Sequence, residues 1–365
     1  DLVGDLYDVL GALHQLRQVC HPRTRVVLNF YNYLWEPVLK AAEKLGLKTR
    51  QALQNWLSHQ DLANLLDLAG FEVIRRGRRM PFPLRVPLVS AALNGLLQAL
   101  PLTHRLGLQQ YLVARLKPSG ARPLYSCSVV VPCRNERGNI AAAVERLPAI
   151  GSRTEVIFVE GASTDGTRDE IRAVIGRYRG PHELKLVDQR SGRGKGDAVR
   201  QGFAAATGDV LLILDADLTV APEDLPQFYA AVQSGVGDFI NGCRLVYPME
   251  KEAMRYLNLL GNKFFGKAFT WILDQPIKDT LCGTKVLLRE DYERIAAHRS
   301  YFGDFDPFGD FDLLFGAAKL NLKIVEIPVR YRDRAYGTTN ISRFRHGWLL
   351  LRMTLFAARK FKFFG

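Results

Sequence analysis

The feature that most constrains the fold is a regular alternation of short apolar runs and helical segments that begins at Tyr125. Runs rich in β-branched residues, such as SCSVVVP at 126–132 and EVIFVEG at 155–161, are typical of strands buried in a parallel sheet. Strands alternating with helices form right-handed βαβ units. The sequence therefore predicts an α/β domain with a mostly parallel sheet. The other predicted strands are 184–188 and 209–217, and the helices between are 139–147, 167–178 and 195–206.

Residues 1–78 carry a second α/β pattern. We expect Ser58 to cap a helix that runs to about Leu68, and Gly70 to end it. Residues 79–124 are rich in Pro, Leu and Arg and are predicted to connect the two patterns. The predicted domains are thus 1–78, 79–124, 125–340 and 341–365. Within residues 1–78 the other predicted elements are helices at 2–19 and 37–45 and strands at 25–29 and 71–74.

The charge of the chain is strongly basic. Its 365 residues include 50 Lys and Arg against 37 Asp and Glu, a formal charge of +13. Such a surplus indicates either an anionic partner, such as nucleic acid, lipid headgroups or phosphorylated substrates, or a solvated basic surface. No zinc pattern or basic-aromatic RNA motif is present, so we expect no nucleic-acid partner.

The five cysteines form no C-x-x-C pair, and their odd number favours a reducing compartment. No window of 18 uninterrupted apolar residues occurs, so we expect no transmembrane span. The segment 341–365 mixes leucines and aromatics with Arg and Lys, which favours either a helix on an anionic membrane surface or a helix packed on its own domain. We therefore expect a cytoplasmic protein, peripheral at the inner face of the membrane. The first residue is Asp1, so we also expect a fragment or a processed chain.

Two carboxylates, Asp215 and Asp217, end the apolar run DVLLILDAD at 209–217. In an open α/β sheet, ligands bind outside the carboxyl ends of the strands. The pair is therefore placed to hold Mg²⁺ or Mn²⁺ against a diphosphate, since these ions prefer oxygen ligands. A solvated acidic turn is the alternative, because D-x-D alone occurs often by chance.

Three other strand ends carry polar motifs. VVPCRNERGNI at 130–140 supplies Asn135 and Glu136, and VEGASTDGT at 159–167 supplies Glu160 and Asp165. In the run 191–203, glycines surround Lys195 before a helix, an arrangement that lets backbone approach a ligand closely. Neither a P-loop nor a G-x-G-x-x-G dinucleotide motif is present.

Together the four motifs VVVPCRNE, EGASTDGT, GKG and DAD resemble those of the family 2 glycosyltransferases, which have the GT-A fold. The family pattern reads VVxPxxNE, D-D-G-S-T-D-G-T, G-K-G and D-x-D. One departure is Gly161, which replaces the second carboxylate of D-D-G-S. The resemblance implies transfer from a GDP- or UDP-sugar, with Asp215 and Asp217 holding the metal on the diphosphate. The donor nucleotide would be bound by Pro132, Asn135, Glu136, Glu160, Asp165, Lys195, Gly196 and Asp215.

The following half resembles polyprenyl-phosphate mannosyl- and glucosyltransferases. In IKDTLCGTKVLLRED at 277–291, Asp279, Gly283 and Lys285 fill the places of their D-x-x-x-G-[FT]-[RK] segment. The resemblance implies that these residues bind the acceptor, a polyprenyl phosphate or a cell-envelope glycan.

The run 303–342 resembles the family's F-D-x-E-L-L helix and its E-[VI]-P-[VI] strand. Inverting transfer to a hydroxyl needs a general base, whereas a phosphate acceptor is already ionised and needs little help. The predicted catalytic residues are Asp310, Asp312 and Asp217, with Asp304 and Asp306 as further candidates for the base.

Arg330, Arg332 and Arg334 alternate before the turn at 337–339. Alternate residues of a strand share one face, so we expect either a phosphate site of three guanidiniums or an exposed basic edge strand. The family's G-x-S-K reads G-T-T-N here.

Residues 1–78 resemble the C-terminal half of class I S-adenosylmethionine-dependent methyltransferases. The resemblance lies in LNFYNYLWEP at 28–37, NWLSHQDLANLL at 55–66 and LAGFEVI at 68–74. The glycine-rich turn for the cofactor is absent, so we expect no binding of S-adenosylmethionine.

The sequence therefore predicts a metal-dependent, inverting hexosyltransferase with a membrane-proximal acceptor. The alternatives are a GT-A-like nucleotidyltransferase, a methyltransferase–glycosyltransferase fusion fragment in which only the transferase half functions, and a catalytically dead binding module. The nucleotidyltransferase alternative expects G-x-G-T-R-[LM] after the first strand, where this chain reads PCRNERGN.

Overall fold

The chain divides into two compact units, Asp1–Ser119 with Phe356–Gly365 and Gly120–Leu355. The computed structural model describes residues 3–51, 53–79, 94, 97, 106–120, 122–189, 194–247, 256–299, 309–334, 336 and 343–363. Among these residues, no helix is long and apolar enough to cross a membrane.

The N-terminal unit contains a three-stranded antiparallel sheet in the order β1-β3-β2. Strand β3 lies in the range 79–124 that the sequence interpretation assigned to a connector. Its apolar side chains explain its place, because Leu112 and Ala114 are fully buried in the core of this unit. The strands are β1 (Val26–Tyr31), β2 (Phe71–Arg79) and β3 (Gln109–Leu116), and the helices are α1 (Val9–Val19), α2 (Glu36–Lys44) and α3 (His59–Leu68).

Helix α3 begins and ends where its sequence predicts. Ser58 and Asp61 form a reciprocal capping box at its start. Gly70 follows its end with a φ of 84°, a left-handed conformation that favours glycine. Leu62 and Leu66 are fully buried, so the helix covers one face of the sheet.

The second unit contains a seven-stranded sheet in the order β10-β8-β9-β7-β4-β5-β6. All pairings are parallel except those of β9, which runs antiparallel to β7 and β8. This sheet confirms the predicted GT-A class, a mostly parallel α/β sheet with flanking helices. Its strands are β4 (Cys127–Cys133), β5 (Thr154–Glu160), β6 (Glu183–Asp188), β7 (Val210–Ile213), β8 (Phe239–Cys243), β9 (Lys285–Leu288) and β10 (Ile324–Pro328).

The helices of the second part of the chain are α4 (Ile140–Glu145), α5 (Thr167–Arg177), α6 (Lys195–Ala205), α7 (Leu225–Gln233), α8 (Tyr256–Leu273), α9 (Arg289–Ala297), α10 (Asp310–Lys319) and α11 (Arg343–Ala358). Single turns of other helix types lie at Val3–Asp5, Tyr33–Trp35, Arg137–Asn139, Pro222–Asp224 and Arg359–Phe363.

The direction of β9 matters for the site. Because this strand is antiparallel, its amino-terminal end lies at the same edge of the sheet as the carboxyl ends of the parallel strands. The segment that leads into β9, including Gly283, is thereby placed beside the residues that follow β7.

Candidate active site

Asp217 is held in a fixed orientation after β7. Its Oδ1 accepts hydrogen bonds from the backbone N–H of Thr219 at 3.2 Å and from the Thr219 hydroxyl at 2.8 Å. Its Oδ2 lies 2.6 Å from an Nη atom of Arg334. The side chain is only 10% exposed, so the Arg334 ion pair is shielded from bulk water.

Asp215 pairs with Lys195, whose Nζ lies 2.6 Å from Oδ1 of the carboxylate. Burial acts to raise the pKa of Asp215, but the charges of Lys195, Lys285 and Arg244 together hold it below its usual value. Asp215 is therefore an ionised carboxylate surrounded by cations.

The position of Gly283 beside the Asp215–Lys195 pair leaves no room for a side chain. A Cβ on Gly283 would lie 2.0 Å from Oδ2 of Asp215 and 2.3 Å from Nζ of Lys195. Similarly, a Cβ on Gly309 would lie 2.6 Å from the Cα of Gly196. The start of α10 and the segment before β9 thus both pack closely against Lys195 and Gly196 at the start of α6.

The loops after β4 and β5 are joined by hydrogen bonds. Asn135, with a φ of 58°, donates its backbone N–H to the Ser163 hydroxyl at 3.0 Å, and its Oδ1 accepts from Thr164 at 2.8 Å. Glu160 is 5% exposed and accepts the backbone N–H groups of Ala162 and Ser163. The structure thus brings together the two loops that were predicted to bind the nucleotide. The side chains of Asn135 and Glu160 accept hydrogen bonds from the backbone of the loop after β5. Pro132 lies within β4, opposite Val159 of β5.

Two carboxylates of these loops differ in their electrostatics. Burial raises the pKa of Glu136 to about 7, and the neighbouring charges of Asp217 and Asp165 act in the same direction. Burial also acts to raise the pKa of Asp165, but hydrogen bonds from Thr167, Arg137 and Tyr336 lower it.

Tyr336 was not predicted as a site residue. Its ring lies so close to Gly138 that a Cβ there would be 2.6 Å from it, and its hydroxyl lies 3.3 Å from Oδ2 of Asp165. The tyrosine therefore borders the predicted nucleotide loops.

The structure changes the role expected of Asp279. This carboxylate is fully buried and binds the Arg244 guanidinium through both oxygens, at 2.7 and 2.8 Å. Burial acts to raise the pKa of Asp279, but Arg244 holds it below its usual value. Asp279 is therefore out of reach of an acceptor and instead orients Arg244, which also stacks on Tyr331 with its Cζ 5.1 Å from the ring centre.

Arg244 itself was missed by the sequence interpretation. It follows β8, a strand of five residues that was not predicted. The other residues expected at the acceptor side are Gly283, which contacts the Asp215–Lys195 pair, and Lys285, which is fully buried and donates to the carbonyl of Cys282.

The expectation that three arginines share one strand face is wrong, because β10 ends at Pro328. Arg330 stacks on Tyr247, with its Cζ 5.2 Å from the ring centre. Arg332 is exposed and donates its backbone N–H to Thr219. Only Arg334 of the three reaches the acidic pair in the part of the chain that the structure describes.

The base candidates differ in what the structure shows of them. Asp312 is 12% exposed and lies 3.7 Å from an Nη of Arg200 and 4.0 Å from Nε of Arg299. Asp310 is the first residue of α10, and its side chain lies outside the described residues. Asp304 and Asp306 also lie outside them, as does the turn at 337–339.

A divalent cation fits the chemistry of this edge. No group of three or more His, Cys, Asp or Glu is placed to hold a metal within the described ranges. Mg²⁺ in phosphate-transfer sites, however, needs only one or two carboxylates, since the substrate oxygens and water complete its shell. Asp215 and Asp217 supply such a pair, and each carboxylate already holds a positive charge.

The part of the chain that holds the acidic pair is similar in sequence to known glycosyltransferases. Residues 128–295 match the sequence model of the family "Glycosyl transferase family 2". Glycosyltransferase AglJ of Haloferax volcanii is 29% identical over 61% of this chain and 68% of its own length. A dolichol-phosphate mannosyltransferase of Pyrococcus furiosus is 28% identical over 59% of this chain and 58% of its own length. Polyprenol monophosphomannose synthase of Mycolicibacterium smegmatis is 27% identical over 62% of this chain and 84% of its own length.

Among solved structures, glucosyl-3-phosphoglycerate synthase from Mycobacterium tuberculosis, in complex with Mn²⁺, UDP and glucosyl-3-phosphoglycerate, is 18% identical. The match covers 64% of this chain and 80% of that one, with a TM-score of 0.46. The family match, by contrast, covers β4 to β9 and includes the acidic pair. Residues 128–295 are therefore similar in sequence to glycosyl transferase family 2.

Proposed function

We propose that this chain transfers a hexose from a GDP- or UDP-sugar to a membrane-proximal acceptor, with inversion and with a divalent metal. The observation that carries the proposal is the edge after β7, where Asp215 and Asp217 are each paired with a cation. Two carboxylates with Lys195, Arg244 and Arg334 around them match the charge pattern of a metal bound to a diphosphate.

On the donor side, Asp215 and Asp217 would hold Mg²⁺ or Mn²⁺. The ion would neutralise charge that builds on the leaving nucleoside diphosphate. Lys195 and Arg334 each lie 2.6 Å from one of these carboxylates, so both are within reach of diphosphate oxygens at the same place. The hydrogen-bonded loops after β4 and β5 would hold the nucleoside, with Glu136 and Tyr336 at their border.

On the acceptor side, we propose that Arg244 contacts an anionic acceptor. Its guanidinium is fixed by two bonds to Asp279 and by the ring of Tyr331, and its charge is close enough to lower the pKa of Asp215. A pre-oriented guanidinium suits a phosphate or diphosphate. A lipid phosphate therefore fits this side better than a neutral glycan.

For the general base we favour Asp310. Asp312 is flanked by two guanidiniums, whereas Asp310 opens α10 directly after Gly309, which packs on Gly196. With a hydroxyl acceptor, Asp310→Asn should lower kcat by about 10²- to 10⁴-fold, as expected for loss of a general base. With a phosphate acceptor, the loss should stay below about tenfold, because the nucleophile is already ionised. An equal loss in Asp312→Asn would contradict the choice of Asp310.

A membrane-proximal acceptor is supported by the exposed face of α8. Leu260 is 46% exposed and Phe264 58%, and Lys263 and Lys267 are exposed beside them. Apolar and basic side chains on one helix face suit an anionic membrane surface. Sedimentation with vesicles of phosphatidylcholine, with and without phosphatidylglycerol, tests this. Phe264→Ser should weaken binding to the anionic vesicles, whereas Val236→Ser, which alters a side chain 50% exposed elsewhere, should not.

The central experiment uses Asp217→Ala. This variant should lose metal-dependent donor turnover yet keep its fold, since Asp217 follows a strand and lies outside the apolar core. Asp169→Ala, which removes a carboxylate that is 85% exposed on α5, is the matched control and should retain turnover. Wild-type turnover by Asp217→Ala would refute the proposal. A thermal-shift screen of GDP- and UDP-sugars, each with Mg²⁺ or Mn²⁺, would identify donor and metal, because ligands of the folded state raise the midpoint.

The methyltransferase-like interpretation of residues 1–78 stays a prediction. The described part of this segment supplies two strands of the antiparallel sheet, and β3 completes it. Calorimetry with S-adenosylmethionine should show no tight binding by this chain.

A further inference from the structure

The positive charge of the chain is concentrated in the N-terminal unit. Residues 1–119 and 356–365 contain 18 Lys and Arg against 8 Asp and Glu, which is a surplus of ten of the thirteen excess positive charges. The candidate glycosyltransferase site lies in the other unit, so its substrates do not account for this surplus. A concentration of basic residues in one unit favours an anionic ligand of that unit.

A cleft of about 480 Å³ in this unit gathers part of the charge. It lies between the start of α3 and strand β2, and its lining includes Ser58, His59, Arg76 and Arg78. The start of a helix carries partial positive charge from its backbone N–H groups, so the helix and the guanidiniums act in the same direction.

A buried amide next to Arg78 in the sheet lacks a partner among the described residues. Gln110 is 1% exposed, and neither its nitrogen nor its oxygen has a hydrogen-bond partner among the described residues. It stands in register between Arg78 of β2 and Phe30 of β1, so the three side chains share one face of the sheet. Arg78 and His59 both line the cleft, and the ring of His59 meets Phe30 edge-on at 5.6 Å, so both cross-strand neighbours of Gln110 lie at the cleft or in contact with one of its lining residues. Leaving a buried amide unpaired costs free energy, so a ligand that satisfies it is favoured.

We propose that this cleft binds a phosphoryl group, with Arg76 and Arg78 as charged contacts and with His59 and the Gln110 amide as hydrogen-bonding partners. The His59 Nε2 atom is buried and has no partner in the described part of the chain. Burial and the charges of Arg78 and Arg76 lower the pKa of His59 to about 4, so the ring is neutral at pH 7. A bound phosphoryl dianion would offset the arginine charges and raise this pKa. The start of α3 also carries one carboxylate, Asp61, which accepts the backbone N–H of Ser58 in the capping box.

The test uses the full chain and inorganic phosphate, with chloride at equal ionic strength as the reference. The imidazole resonance of His59, assigned with His59→Gln, should shift in a saturable way with phosphate and not with chloride. Arg76→Gln should weaken this binding about tenfold, the loss expected for one arginine–phosphate contact. Arg76 is exposed, so its variant should fold even where Arg78→Gln does not.

The matched control is Arg23→Gln, which removes another exposed arginine of the same unit and should leave the phosphate affinity unchanged. Phosphate that binds only at the Asp215–Lys195 site would not move the His59 resonance, so the two sites are distinguished. Glycerol 3-phosphate and vesicles containing phosphatidic acid then separate a soluble phosphate ester from a lipid headgroup, and either result supports the site. The proposal is overturned if phosphate and chloride act alike on His59, or if Arg76→Gln binds phosphate as well as Arg23→Gln does.

Discussion

Replacing Gly283 by alanine tests the geometry of the acidic pair with a single methyl group. The new Cβ would lie 2.0 Å from Oδ2 of Asp215 and 2.3 Å from Nζ of Lys195, whereas ordinary contacts begin at about 3.4 Å. One or both side chains must therefore retreat by more than about 1 Å. A displacement of this size at a catalytic group can cost about 10²-fold in rate, or about 2.7 kcal/mol of transition-state stabilisation.

The stability of the Gly283→Ala variant should change far less than its activity. Lys195 is 29% exposed, so its ammonium has room to move into solvent. We expect kcat/KM for the donor to fall about 10²-fold while the thermal midpoint stays near that of the wild type. Gly176→Ala is the control. Gly176 lies in helix α5, and a Cβ at this position would meet no atom within 4 Å. That variant should keep full activity and gain about 0.5–1 kcal/mol of stability. Gly283→Ala turnover within threefold of wild type would refute the reasoning.

Two buried carboxylates give further predictions. Asp279→Asn should lower the free energy of unfolding by about 3–5 kcal/mol, because the Arg244 guanidinium loses its charged partner and its side chain is only 11% exposed. Urea unfolding at pH 7 measures this loss, and a loss below about 1 kcal/mol would contradict the prediction. Glu155 has a pKa of about 2 because hydrogen bonds, chiefly from Lys185 and Ser128, outweigh the effect of burial. Since that pKa lies below the ordinary value of 4.5, its stabilisation of about 3 kcal/mol is present above pH 4.5 and is lost as the pH falls towards 2. Glu155→Gln should therefore be less stable than the wild type at pH 7 and nearly equal to it at pH 2, and a constant difference across that range would exclude this linkage.

The strands that sequence reading predicted well are those with continuous apolar runs. Strands β4 and β5 begin and end within one residue of their predicted limits, because nearly every side chain in them is buried on both faces of a parallel sheet. Strand β9 has only four residues, and its place between β7 and β8 depends on pairing with residues far away in the chain. Such a short run has no periodicity of its own, so it was not predicted.

The same distinction holds within the site. Lys195 is the first residue of α6 and Asp215 lies two residues after β7, so the predicted elements alone place both at the sheet edge. Arg244 was not predicted because it follows β8, a short strand that was itself not predicted. Tyr336 was not predicted because its place depends on contacts with Gly138 and Asp165, which are far away in the chain. Asp279 shows a further limit, since only its buried pairing with Arg244 reveals that the carboxylate orients another side chain.

Under the proposed function, the pairing of both carboxylates with cations predicts that metal and donor bind cooperatively. Asp215 and Asp217 cannot ligate a divalent ion with the full strength of free carboxylates while Lys195 and Arg334 lie 2.6 Å from them. A donor diphosphate offers Lys195 and Arg334 new anionic partners, so the carboxylate oxygens of Asp215 and Asp217 become available to the metal. The diphosphate also supplies oxygen ligands of its own to the metal. Coupling between two ligands of this kind is typically about 1–3 kcal/mol and is reciprocal. We therefore expect calorimetry to show Mn²⁺ binding at least about fivefold tighter with UDP present than without it, and UDP binding tighter by the same factor with Mn²⁺. Arg334→Gln should reduce this coupling, because Asp217 is then free before the donor arrives. If the Mn²⁺ affinity of the wild type does not depend on UDP, the two ion pairs do not compete with the metal, and the site is arranged differently from the one inferred from these distances.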